Sequence, residues 1–111
     1  MGIDLLQGTL DLIVLKALSW GPMHGFGIAR WIQQTTGEVL EVEEGSLYPA
    51  LYRMENRGWI KADWALTENG RRAKYYKLTA AGRKQLASEL ASWEQMQHAI
   101  GRIVSAKRQP A

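Results

Sequence analysis

Six cations, Arg71, Arg72, Lys74, Lys77, Arg83 and Lys84, fall close together, and no acidic residue occurs from Asn69 to Ser88. A cluster of this kind attracts phosphate and makes binding depend on salt. Upstream lies Gly45-Ser46-Leu47-Tyr48-Pro49-Ala50-Leu51-Tyr52-Arg53-Met54-Glu55. Leu47, Leu51 and Met54 recur at i, i+4 and i+7 and are expected to face a core. Ser46, Pro49, Arg53 and Asn56 then take the opposite side, with Tyr48 and Tyr52 on the flank. Hydroxyls, an amide and a guanidinium are the groups that bond phosphates and base edges. A solvated surface or an ordinary amphipathic helix uses the same residue types, so neither segment decides alone.

Their order along the chain says more. The helical segment is followed by a strand-like Trp59-Ile60-Lys61-Ala62-Asp63-Trp64 and the polar turn Glu68-Asn69-Gly70-Arg71-Arg72. The chain returns as Ala73-Lys74-Tyr75-Tyr76-Lys77-Leu78-Thr79, and Asn69-Gly70 tolerates the positive φ a hairpin needs. Helix, strand, basic loop, strand is the order of a winged helix, which lays one helix in a groove and a hairpin beside it. The expected fold is mainly α with a small β-hairpin: a winged helix-turn-helix followed by a long C-terminal helix.

A first helix is expected from Gly8 or Thr9, with Leu10, Ile13, Val14, Ala17 and Leu18 on one stripe. Leu5, Leu12 and Leu15 lie off that stripe and give the helix a second apolar face, which wants another partner. Gly21-Pro22 stops it, and a second helix is read from His24 to Thr36. Val39 to Val42 reads as a short strand at the edge of the hairpin. Pro49 is tolerated only in the first turn of the third helix, which sets its start near Gly45. Thr79 is expected to cap a last helix from Ala80 to Ala106. There Leu86, Leu90, Trp93, Gln97, Ile100 and Val104 form a coiled-coil type of seam, widened by Met96 and Ile103. The chain thus divides into a DNA-binding unit (1–79), a dimerisation helix (80–106) and a basic tail (107–111).

Composition narrows the function. At 111 residues with 46% hydrophobic content, the chain suits one packed domain. The absence of cysteine removes disulfides and thiolate chemistry and agrees with a reducing cytoplasm. No apolar run approaches the roughly 20 residues that span a bilayer, so no membrane partner is expected. The net charge is +3, but residues 1–52 carry two basic and six acidic side chains, against twelve and five in residues 53–111. His24 and His98 have no ligand-spaced company, and no phosphate-binding or nucleophile motif is present, so neither metal, cofactor nor catalysis is expected. A docking module without DNA function is the alternative from another class; an acid-free basic wing is the feature it would not need.

The chain resembles the PadR family of transcriptional regulators in its short form with a single C-terminal helix. The resemblance rests on Gly8-Thr9-Leu10-Asp11-Leu12, on Gly21 to Ile28, on Glu44 to Leu51, on Asn69 to Thr79 and on Ala81-Gly82. One departure is Phe26, where the family often has tyrosine. The resemblance implies a homodimeric winged helix on near-palindromic double-stranded DNA, usually a repressor. By carry-over, Ser46, Tyr48, Pro49 and Arg53 approach the DNA, and Arg71, Arg72 and Lys74 contact it from the wing. It further implies release by a small aromatic or hydrophobic effector that stacks on Trp93; Trp93 equally reads as interface packing on the seam, and if there is a pocket its expected walls are Leu12, Leu15, Trp93 and Gln97. The dimer interface is expected at Leu5, Leu90, Trp93, Met96, Gln97, Ile100, Ile103 and Val104.

Overall fold

The structure, a computed structural model, describes residues 7–108. Its elements run α1 (Gln7–Leu18), β1 (Met23–His24), α2 (Gly25–Thr35), α3 (Glu44–Asn56), β2 (Ile60–Leu66), β3 (Arg72–Leu78) and α4 (Ala80–Ser105). The three strands form an antiparallel sheet in the order β1-β3-β2.

The core forms where the apolar stripes of α1, α2 and α3 meet the base of the hairpin. Val14, Leu18, Ile28, Ile32, Leu47, Leu51, Met54 and Ile60 are fully buried together. Each such side chain contributes about 1.5–3 kcal/mol by leaving water. Leu15, assigned from sequence to a second face, is also buried in this core. A helix packed between α2, α3 and α4 has more than one inward side.

Two local readings are corrected. The third strand is not Val39–Val42 but Met23–His24, which pairs with Tyr76 and Tyr75 of β3. Extended backbone at the exit of Gly21-Pro22 runs beside β3 and then turns directly into α2. Pro49 lies in the second turn of α3, not the first, because the helix begins at Glu44. Its missing N–H frees the Gly45 carbonyl from an intrahelical bond.

Caps fix the other helix starts. His24 Nδ1 accepts the Gly27 backbone N–H at 2.9 Å, which leaves the proton on Nε2. Thr79 Oγ1 accepts from Gly82 N at 3.0 Å and donates to the Gly58 carbonyl at 2.5 Å. It therefore ties the start of α4 to the end of α3. Thr79→Ala is expected to lower unfolding free energy by about 1 kcal/mol, readable as a shifted midpoint in urea.

α4 changes partners along its length. Leu86 is buried and Leu90 packs on the core of the same chain, so the seam begins as an intrachain contact. From Ala91 to Ser105, about 22 Å of helix, every residue is exposed, although Trp93 still lines a cavity against α1 and α2. Trp93, Met96, Ile100, Ile103 and Val104 stand on that free length, Ile103 at 74% exposure and Val104 at 78%. Leu5 lies outside the described residues.

Candidate nucleic-acid interface

At about 100° per residue, α3 has four sides. Leu47, Ala50, Leu51 and Met54 are buried on one. Tyr52, Asn56 and Pro49 occupy the middle of the opposite side, and all three are exposed. Ser46 and Arg53 lie on the flank toward α1; Tyr48 and Glu55 lie on the flank toward the hairpin. Tyr52, 67% exposed, thus projects more centrally than Ser46 and was absent from the expected contact set. The signal for it was in the sequence: it lies five residues beyond Leu47, nearly half a turn from the core side.

The flanks are held by charge. Arg53 Nη2 donates to Asp11 Oδ1 of α1, a carboxylate whose side chain is only 6% exposed. Arg53 is therefore turned toward α1, with its Nη2 engaged there rather than free on the groove-facing side. On the other flank Lys74 Nζ donates to Glu55 Oε1 at 3.2 Å, so Lys74 is also partly engaged.

The hairpin presents one alternate face to α3. Register pairs Ile60 with Leu78, Ala62 with Tyr76, Trp64 with Lys74 and Leu66 with Arg72. Successive side chains of a strand alternate, so these eight share a face, buried at the base and exposed toward the tip. Lys77 falls on the other face, which splits the basic run seen in the sequence. The tip closes through Gly70 N to the Thr67 carbonyl, with Gly70 at φ +77°, and leaves Arg71 exposed beyond it. The Arg72 guanidinium lies 5.3 Å from the centre of the Trp64 ring, a cation–π contact that orients it.

Between these elements runs a cleft of about 380 Å³ lined by His24, Gly25, Phe26, Tyr48, Trp64, Ala73, Lys74 and Tyr76. It joins the start of α2, α3 and the wing on one side of the molecule. Gly25 permits this approach, because a Cβ there would stand 2.7 Å from the Tyr48 ring. Tyr48 and Lys74 were expected at this surface; Phe26 and Trp64 were not. Period-two alternation from Ile60 would have placed Trp64 there.

Burial shifts two carboxyls at the α1–α4 contact. Asp11 is raised above its ordinary value by desolvation, against the pull of Arg53 and Arg57. Glu89 is raised by desolvation first and by the charge of Asp11 second, while a hydrogen bond with Gln85 opposes the shift. For an acid held above its unfolded value, the stability it contributes is full below that value. It is lost as pH rises through the folded one. Stability should therefore fall as pH rises above the ordinary carboxylate range. Glu89→Gln is expected to flatten that decline and raise the neutral-pH melting temperature; an unchanged slope in melts across this range would contradict the assignment.

An exposed helix face, a basic β-arm on the same side and a helix-turn-helix core define a winged-helix DNA-binding regulator. Residues 14–88 match the family model described as the transcriptional regulator PadR-like family. The chain belongs to that family, whose members are transcription regulators and not enzymes. It is similar to a transcriptional regulator from Clostridium thermocellum, with 31% identity and a TM-score of 0.81 over 89% of this chain and 96% of that one. It is also similar to a PadR-like transcriptional regulator from Bacillus cereus, with 25% identity and a TM-score of 0.80 over 92% and 97% of the two chains. An uncharacterised protein of Lysinibacillus sphaericus is 27% identical over 97 residues, covering 87% of this chain and 89% of its own. Among the described residues no helix is long and apolar enough to cross a membrane.

Proposed function

We propose that the protein is a cytoplasmic homodimeric repressor that binds a near-palindromic operator through α3 and the wing and releases it on binding a small aromatic or hydrophobic effector. The observation that carries this reading is the shared side of Tyr48, Pro49 and Tyr52 with Trp64, Arg72 and Lys74. In a two-fold dimer the two α3 helices enter successive major grooves, about 34 Å apart, while Arg71 and Arg72 meet the flanking phosphates. Residues 1–79 form the reading unit. The exposed length of α4 supplies the pairing surface through Trp93, Met96, Gln97, Ile100, Ile103 and Val104, a mostly apolar row of exposed side chains.

An effector has a place to go. An apolar cavity of about 330 Å³ lies between α1, α2 and α4, walled by Leu12, Ile13, Trp31, Leu40, Leu90 and Trp93. Leu12 and Trp93 were expected there; Leu15 is in the core and Gln97 is outside the lining. Trp31 joins them because the end of α2 leans over the cavity, a placement with no signature in local sequence. Trp20 packs against Trp31 with ring centres 5.5 Å apart, and Lys16 lies over Trp20 at 4.7 Å. The walls suit a flat, mainly apolar compound.

Selection of bound fragments from genomic DNA, repeated with small aromatic compounds, tests both parts. Recovered fragments should share a near-palindrome, and an effective compound should deplete them. Fragments without a common sequence would exclude specific recognition; retention with every compound that fills the cavity would exclude relief through it.

A further inference from the structure

Three helices with different tasks meet at one carboxylate. Asp11 of α1 is 4% exposed and receives Arg53 of α3, with Arg57 just past the end of α3 adding attraction and Glu89 of α4 standing beside it as a like charge. Arg53 reaches Asp11 through Nη2 alone, so the guanidinium fork is only half used. Its Nε is buried without a protein partner, and so is Glu89 Oε2. The joint is polar, enclosed and incompletely satisfied.

Its position on α3 gives it leverage. Arg53 is four residues from Pro49 and seven from Ser46, on the flank next to the exposed middle of the helix. A bond at that point resists rotation of α3 about its own axis. The opposing Glu55–Lys74 pair is more exposed, with side chains at 33% and 38%, and holds less firmly. The residue after Asp11 is Leu12, which walls the apolar cavity on another side of α1.

We propose that Asp11 is a positioning residue for DNA reading: through Arg53 it sets the rotation of α3, and hence which of Pro49, Tyr52 and Asn56 meet the bases. Asp11 touches no DNA in this arrangement. The proposal rests on the reading face proposed above, and its test keeps the two apart.

The dimeric protein and its Asp11→Asn variant are titrated by anisotropy against a selected genomic fragment and a scrambled duplex of equal length, at several salt concentrations, with melting curves alongside. The wild type should prefer the selected fragment. Asp11→Asn should lower that preference about tenfold and leave the salt slope unchanged, because no phosphate contact is lost. Arg53→Lys, which keeps the charge opposite Asp11, should lose less of the preference, and it carries the test if Asp11→Asn does not fold. Tighter binding by Asp11→Asn would overturn the proposal, since Arg53 would then be a DNA contact that Asp11 merely occupies. A lower melting point with the preference intact would overturn it in favour of a purely structural pair. A wild type that does not distinguish the two duplexes would overturn the reading face itself, and the positioning role with it.

Discussion

Gly82→Ala is expected to lower the unfolding free energy by about 3 kcal/mol or more. A Cβ at Gly82 would overlap the Trp59 carbonyl oxygen and lie 2.9 Å from the carbonyl carbon. Both are backbone atoms, so no rotamer change relieves the clash. The same carbonyl accepts Thr79 N at 3.0 Å, and Gly82 N is itself the donor to the Thr79 cap. Moving α4 outward would break both bonds and withdraw Leu86 from the core. Gly101, farther along α4 with open space at its Cβ position, supplies the contrast. Alanine there is expected to stabilise by up to about 1 kcal/mol through helix propensity. Urea unfolding of both variants reads the pair of signs. A Gly82→Ala protein as stable as wild type would mean that α4 is not seated against the start of β2.

The second large effect belongs to the wing. Replacing Arg71 and Arg72 together by alanine is expected to weaken DNA binding on the order of a hundredfold at physiological salt. Both residues are exposed at or beyond the hairpin tip, and Arg72 is the better oriented through its contact with Trp64. A dimer would lose four cations, so the slope of log K against log salt should become shallower by about three to four. The loss should be nearly equal for operator and unrelated sequences, because phosphate contacts carry no sequence information. This separates the wing from Asp11, whose removal is expected to change preference and spare the slope. Unaltered affinity and slope would remove the wing from the interface.

Local signals in the sequence were enough for the reading helix and the hairpin. The i, i+4, i+7 spacing of Leu47, Leu51 and Met54 identifies the buried side of α3, and Asn69-Gly70 marks the hairpin tip. Thr79 reads as a cap for the same reason: its hydroxyl acts three residues away. Several of the misses depend on residues distant in the chain. Arg53 looked free because Asp11, its partner, is 42 residues away. Trp31 joins the cavity only because α2 and α4 converge around α1. Two residues of strand at Met23–His24 carry too little periodicity to be seen, and β3 alone makes them a strand. Pro49 was placed by a rule about first turns, and α3 began earlier than the rule required.

Reading by a dimer requires α3 and the wing of two chains to face DNA together, and hydroxyl-radical footprinting on a selected operator tests that most directly. Two equivalent protected patches should appear, related by a dyad and centred about 10 base pairs apart, each flanked by a weaker patch that disappears in the Arg71, Arg72 double variant. One continuous protected stretch without symmetry, or flanking protection that survives the double variant, would contradict it.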